Sequence, residues 1–244
     1  MKHMKKSTLF AAMAVLSAAA SVSAADVISD RPFTPLELSL WSPVQFPDET
    51  WDVYGIRAGL FYNRSHTVYG LDLGLFGNCE GNLGGVAAGL GNRVEGNLYG
   101  LQLGLFWNKT VGETISAQAG FYNRNWGDAA GLQLGLVNYV NQYWGMQLGA
   151  LMCWNGATSC GLQMALVNAD QEQYYGLAIG ALNYSENFTG CQLGVFNSAR
   201  SRMVGCQIGL VNGAYQLSGI QIGLINVVER SSVLPTMIIA NASF

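Results

Sequence analysis

Few residues in this sequence have the type and spacing that chemistry at an active site needs. His66 is the only histidine after residue 25, and it lies in a short polar connector, where a solvated turn residue is expected. Nothing around it supports a Ser-His-Asp or Cys-His arrangement. No pair of Cys or His residues has the spacing of a zinc site. We therefore expect no enzyme activity, no cofactor and no bound metal.

The five cysteines are the other reactive side chains: Cys79, Cys153, Cys160, Cys191 and Cys206. In an exported protein an odd number leaves at least one cysteine free or paired between chains. Cys191 and Cys206 hold equivalent positions of adjacent repeats, where Leu or Ile is usual. We expect both to act as small apolar residues.

A repeated unit organises most of the chain. The pattern Gly, apolar, Gln, apolar, Gly, apolar, any, Asn returns about every 15 residues from Trp51 to Asn226, which predicts a repeat architecture. The unit from Gly145 is irregular and reaches Asn155 through Cys153, which suggests a bulge. Twelve units open at Gly55, Gly70, Gly85, Gly100, Ser116, Gly131, Gly145, Gly161, Gly176, Gly190, Gly205 and Gly219.

The periodicity of these units predicts strands. Apolar residues at the second, fourth and sixth positions share one face of a strand, and Gln and Gly share the other. In a helix, two glycines per unit would each cost about 1 kcal/mol relative to Ala. Charged residues make up only 11% of the chain, yet no apolar stretch after the first 25 residues is long enough for a helical membrane span. The fold class is therefore all-β.

The third position of the units holds the candidate functional row. In a barrel these side chains would line the lumen and prefer neutral, hydrogen-bonding solutes, whereas in a solenoid they would form an exposed ladder. The row consists of Arg57, Asp72, Gln102, Gln118, Gln133, Gln147, Gln163, Gln192, Gln207 and Gln221.

The N-terminal segment has the features of a secretory signal peptide. Residues 1–24 contain three lysines, an apolar run and the small residues Val22, Ser23 and Ala24 before the expected cleavage site. Residues 25–244 then form a single β-repeat domain, with repeats over 51–226 and a terminal strand over 235–244. Nine basic residues remain against fifteen acidic ones, which disfavours a nucleic-acid partner.

Two closed architectures fit such strands. The preferred one is an antiparallel transmembrane β-barrel of about 14 strands, because residues 35–41 and 235–244 add two strands to the twelve units and bacterial barrels have even numbers. Phe244 is a candidate assembly signal for such a barrel. Aromatics near the unit ends would form its interfacial girdles: Tyr54, Tyr69, Tyr99, Trp107, Tyr143, Trp144 and Tyr175.

The alternative is a parallel β-solenoid, which explains a single-strand repeat more directly. Its Leu, Ile and Val residues would fill a narrow core and its Asn residues would stack. The cysteines discriminate the two folds. A solenoid places Cys191 beside Cys206, whereas the antiparallel barrel places Cys191 near Val211.

The units Gly131 to Asn138 and Gly219 to Asn226 resemble a bacterial surface-repeat family built from Gly-x-Gln-x-Gly-Leu-x-Asn. The resemblance covers residues 51–226 and implies an envelope location without an established activity. Units with Arg57, Asp72, Ala87 or Ala178 in place of Gln depart from it.

The functional expectation is an outer-membrane or cell-envelope repeat protein, acting as a passive pore or a structural surface component. The alternative is a non-membrane solenoid that serves as an adhesin or scaffold. The expected partners are membrane lipid and the outer-membrane assembly machinery, with an unknown ligand. The expected location is the outer membrane of a Gram-negative-type bacterium, or otherwise the cell surface or periplasm.

Overall fold

The computed structural model describes residues 31–230 and 234–243. The signal peptide over residues 1–24 and the candidate assembly residue Phe244 lie outside the described residues. Regular structure in these ranges consists of strands. None of the described residues belongs to a helix that is long and apolar enough to span a membrane. The described chain falls into two compact units that divide between Leu134 and Gly135. They are called the first and second unit below, and each 15-residue sequence unit is called a repeat or a coil.

Fifteen strands follow one another in the described chain. Those of the first unit are β1 (Phe33–Trp41), β2 (Val44–Phe46), β3 (Asp52–Ser65), β4 (Val68–Leu73), β5 (Phe76–Cys79), β6 (Leu83–Val94), β7 (Leu98–Thr110) and β8 (Thr114–Ala119). β9 (Tyr122–Asn155) begins in the first unit and ends in the second. Those of the second unit are β10 (Ser159–Met164), β11 (Val167–Ile179), β12 (Leu182–Leu193), β13 (Phe196–Ile208), β14 (Val211–Val228) and β15 (Thr236–Ser243).

Equivalent residues of consecutive repeats pair with one another. In the first unit Gly85 aligns with Gly70 on one side and Gly100 on the other, in parallel strands. In the second unit Gly190 aligns in the same way with Gly176 and Gly205. Each unit is therefore a parallel β-solenoid in which one repeat makes one coil. The antiparallel barrel is wrong and its stated alternative is the fold, because only parallel, in-register strands stack each residue type on itself.

The cysteine test gives the same answer. Cys191 lies opposite Cys206 in the parallel pair of β12 and β13. Val211, which the barrel would have placed near Cys191, pairs with Phe196 instead. The side-by-side cysteines therefore contradict the barrel and agree with the solenoid.

The interior of each solenoid combines buried amides with a row of buried apolar side chains, such as Leu98 in the first unit and Phe188 in the second. Gln207 is buried, whereas Ile208 next to it is 42% exposed. The alternation of faces was predicted correctly, but the expectation that Leu, Ile and Val fill a solenoid core is wrong. The amides occupy the core because each one finds its hydrogen-bond partner in the neighbouring coil.

Glycines form the corners of the coils. Eleven of the opening glycines have positive φ angles between 123° and 153°. At Gly190 an added Cβ would overlap the carbonyl oxygen of Gly176 in the preceding coil. At the fifth position the restriction differs, because a Cβ on Gly209 would lie 2.6 Å from the Asn197 amide. Glycine at both positions lets the backbone turn and the coils approach each other.

The strands that flank the repeats are present. The segment 35–41 lies within β1, which runs parallel to β3. The predicted terminal strand appears as β15, which is antiparallel to β14. A second antiparallel pair joins β1 and β2. The described residues thus form fifteen strands rather than fourteen, and the even-number argument fails together with the barrel.

Candidate functional site: the amide core and the apolar outer face

The third-position row forms a chain of amide hydrogen bonds. In the first unit Gln118 donates to the Oε1 of Gln102 at 2.8 Å, and Gln133 donates to the Oε1 of Gln118 at 2.9 Å. In the second unit Gln207 donates to Gln192 at 2.7 Å, and Gln221 donates to Gln207 at 2.8 Å. Each of these glutamines therefore makes a side-chain hydrogen bond to a glutamine of an adjacent coil.

All ten candidate lumen-lining residues lie in this buried row and are between 0 and 3% exposed. The sequence grouped them correctly on one face. Their predicted environments are wrong, because they neither line a lumen nor form an exposed ladder. They fill the interior of the solenoids, where the amides of adjacent coils hydrogen-bond to one another.

Alanines interrupt the row in two coils. Ala178 belongs to a buried cluster with Tyr174 and Phe188, whose rings stack with centroids 5.4 Å apart. Ala87 belongs to a comparable cluster with Leu83 and Leu98. The same apolar row continues through coils that keep the Gln, where it holds Leu98 beside Gln102 and Phe188 beside Gln192.

Asparagines form a second buried row. Asn197 donates to the Oδ1 of Asn212 at 2.8 Å and to the carbonyl of Ile208 at 3.0 Å. Asn108 makes the same two bonds in the first unit, to Asn123 and to the carbonyl of Ala119. Asn92, Asn168, Asn183 and Asn212 also use both amide hydrogens toward the following coil. The stacked Asn residues of the solenoid alternative are therefore confirmed.

Two coils depart from the Asn row. Asn168 aligns with Cys153, so Cys153 and not Asn155 stands in the row. The amide of Asn138 contacts the Cys153 sulfur at 3.6 Å. In the first unit Gly77 aligns with Asn63, which moves Asn78 one place out of the row. The unit from Gly145 also holds the expected bulge, because the register shifts by one residue between Leu148, which pairs with Met164, and Met152, which pairs with Val167.

A charged cluster replaces the amides at the start of the first unit. The Arg57 guanidinium donates to both carboxylate oxygens of Asp72 and to the Ser65 hydroxyl, at 2.6 Å for the hydroxyl. Glu37 aligns with Arg57 and is also buried. Burial raises the pKa of Glu37 to about 7, although the positive charge of Arg57 opposes this shift. The cluster carries two acids and one base in the core.

Glu37 was missed from the sequence, although a signal was present. It lies between Leu36 and Leu38, in the same apolar-polar-apolar pattern as the Gln of each repeat. Extending the repeat pattern by one strand would have placed Glu37 in the row. Its position follows because β1 continues the parallel register of β3.

Asp170 is a second buried acid that was missed. Its Oδ1 accepts hydrogen bonds from Asn155 at 2.8 Å and from Gln163 at 3.1 Å. Burial nevertheless raises the pKa of Asp170 to about 7. It lies two residues beyond Asn168, at a position that elsewhere holds small side chains such as Ser185 and Ala199.

In each of the two compact units, the residues at the second, fourth and sixth positions of the repeats form what we call the apolar outer face. These positions hold apolar side chains, counting Cys, in all twelve sequence repeats. Their exposure is large, reaching 62% at Leu224. Members that are more than a third exposed include Ile56, Leu71, Leu73, Leu75, Leu103, Leu105, Leu134, Leu136, Met164, Leu166, Ile208, Leu210, Ile220 and Ile222.

The aromatic residues stack along the coils. Tyr54 packs on Tyr69 of the next coil with ring centroids 5.5 Å apart. Tyr143 departs from the predicted girdle, because it is buried and its hydroxyl donates to the carbonyl of Met146. The girdle interpretation fails with the barrel.

His66 does not lie in a catalytic arrangement. Its Nδ1 atom is 3.0 Å from the Asp52 carboxylate and 3.0 Å from the Thr67 hydroxyl. In a catalytic triad the acid and the nucleophile face opposite nitrogens of the ring, whereas both contacts here involve one nitrogen. Among the described residues no group of three His, Cys, Asp or Glu side chains could hold a metal ion.

Comparisons with known proteins add no assignment. No protein-family model, no curated protein and no solved structure matches this chain. The similarity of the units to a surface-repeat family thus stays an expectation from the repeat pattern.

Proposed function

We propose that this chain is a non-catalytic β-solenoid adhesin or scaffold of the cell envelope that works through its apolar outer face. The observation that carries the proposal is the outward placement of apolar side chains in every repeat, most of them Leu or Ile, such as Leu103, Leu105, Ile208 and Ile222. Contiguous apolar patches larger than a few hundred Å² are uncommon on free monomers and mark interaction sites.

The regular spacing of the face favours a partner that is itself a β-sheet. Neighbouring strands lie about 4.8 Å apart, so each coil presents its apolar side chains at the same interval. Two sheets pack face to face when their inner side chains are apolar and interdigitate. A second copy of this chain supplies a face of matching spacing, and we propose it as the partner.

The buried amide rows give no support for a pore. Gln192, Gln207 and Gln221 hydrogen-bond to one another and are buried, so they do not meet solute. Stacked amides instead fix the register of the coils, which holds the outer side chains in straight rows. A rigid, repeating surface is what a scaffold needs.

A lipid surface is the second candidate partner, and the lack of any charged residue on the apolar outer face favours it. In this proposal the chain is exported and reaches the outer membrane through the assembly machinery. Its coils would then rest with the apolar outer face against acyl chains.

Sedimentation of the purified full chain without detergent tests the first proposal. We expect concentration-dependent oligomers for the wild type and smaller species for the double variant Ile208→Gln, Ile222→Gln. The control is Val111→Gln, because Val111 is similarly exposed but lies off the face. A wild type that stays monomeric at all concentrations would contradict assembly through this face. Flotation of such a monomer with neutral phosphatidylcholine vesicles would support lipid as the partner.

A further inference from the structure

Two cysteines stand next to each other on neighbouring coils. Cys191 of β12 lies opposite Cys206 of β13, and the pairs Gly190–Gly205 and Gln192–Gln207 flank them in the same register. Gln192 and Gln207 point into the core. Because successive side chains of a strand alternate, both thiols point outward. They lie on the apolar outer face, each of them half-buried.

The register brings the two cysteines within bonding geometry. Paired residues of adjacent parallel strands are about 4.8 Å apart, and disulfides join cysteines whose Cα atoms are about 4.4 to 6.8 Å apart. Burial, followed by the charge and a hydrogen bond of the neighbouring Cys206 thiol, raises the pKa of Cys191 to about 11.

None of the other cysteines has such a neighbour. Cys160 lies between Trp144 and Tyr175 in the register. Cys79 and Cys153 are buried, and each is aligned with residues other than cysteine. The odd number of cysteines is thus resolved into one aligned pair and three single residues.

We propose that Cys191 and Cys206 form an intrachain disulfide that joins two consecutive coils. With a disulfide such as oxidised glutathione as the oxidant, one thiolate attacks it and releases one reduced glutathione. The second thiolate then attacks the mixed disulfide and releases another. The protein loses two protons and two electrons, and one S–S bond replaces the S–S bond of the oxidant.

The bond would connect residues 15 positions apart, closing a loop of one repeat. Crosslinking at this distance restricts the unfolded chain and so favours the folded state. The bond also replaces two thiol hydrogens on the outer face, leaving that face apolar. The inference does not depend on the proposed function, because it needs only the register of β12 and β13.

Alkylation of the full chain tests the proposal. The protein is incubated with oxidised glutathione at about pH 8.5, near the ordinary pKa of a thiol, then denatured and alkylated. We expect three of the five cysteines to be alkylated, and all five after reduction. Peptide mapping without reduction should join Cys191 to Cys206.

Two serine variants give the matched controls. In Cys206→Ser, peptide mapping without reduction should join no two peptides of the protein, whereas Cys160→Ser should still join Cys191 to Cys206. The oxidised wild type should unfold at a higher urea concentration than the reduced protein. Alkylation of all five cysteines after oxidation, a stable glutathione adduct, or a bond mapped to another pair would each overturn the proposal.

Discussion

Replacement of Asp170 by Asn should make the fold more stable at neutral and alkaline pH. The carboxylate accepts hydrogen bonds from Asn155 and Gln163, both on its Oδ1 atom. An asparagine has an acceptor oxygen in the same place, so both bonds are kept. The variant removes only the charge that burial disfavours.

The magnitude follows from the raised pKa. Burial moves the pKa of Asp170 from 3.8 to about 7, and each pKa unit corresponds to 1.36 kcal/mol, so the buried charge costs about 4 kcal/mol. Below about pH 4 the carboxyl is protonated in both the folded and unfolded states and the cost is absent. Between about pH 4 and about pH 7 the unfolded state loses its proton first, so stability falls as the pH rises.

Urea denaturation followed by circular dichroism from about pH 4 to about pH 9 measures this effect. We expect the wild type to lose stability over the window and the variant to lose about 4 kcal/mol less. Glu37, whose pKa is also raised to about 7, acts in the same direction in both proteins and cancels in the difference. Asp128→Asn is the control, because Asp128 is exposed.

Two outcomes would refute this reasoning. One is a wild type whose stability is constant or rises between about pH 4 and about pH 7. The other is an Asp170→Asn variant that follows the wild type at every pH while Asp128→Asn does the same. Either result would mean that the core tolerates the charge of Asp170 without cost.

The corners and the two amide rows give three further predictions. Gly190→Ala should destabilise by at least about 2 kcal/mol in urea denaturation because of its positive φ and the overlap with the preceding coil, whereas Gly213→Ala, with its nearest neighbour 3.9 Å from the added Cβ, should change little. Cys153→Asn should stabilise by about 1 kcal/mol, because the new amide can donate to the buried Oδ1 of Asn168, which has no hydrogen-bond partner; an unchanged urea midpoint would contradict this. Gln207→Ala should cost about 2 to 3 kcal/mol by removing one hydrogen bond from the buried amide of each neighbouring coil, and a loss no larger than that of an exposed Gln would argue against the row.

The sequence predicted the strands, the repeat boundaries and the common face of the Gln residues. These features follow from short-range periodicity, which the pattern from Gly219 to Asn226 carries by itself. The single-strand repeat also pointed to parallel stacking. The barrel was preferred because scarce charge and apolar strands suggest a lipid-facing surface, and this inference was correct about which side chains face outward.

The sequence could not show which face closes into a core. Amides such as Gln118 can enter a core only if each finds a partner in the next coil, and that depends on long-range register. The same limit applies to Cys153, whose place in the Asn row depends on its alignment with Asn168. The burial of Glu37 could have been predicted, because Leu36 and Leu38 on either side of it give the apolar-polar-apolar pattern of the repeats.

The amide interior also has a consequence for heat capacity. Unfolding an ordinary protein raises the heat capacity by about 12 to 15 cal/mol/K per residue, because water gains apolar surface, whereas newly hydrated polar groups lower it. Here Leu210 and Leu224 are already more than half exposed, while Gln207 and Asn212 become hydrated on unfolding. Calorimetry should therefore give an increase per residue below the ordinary range. The free energy of unfolding should then vary gently with temperature. Cooling should lower it less than in a protein whose core is entirely apolar.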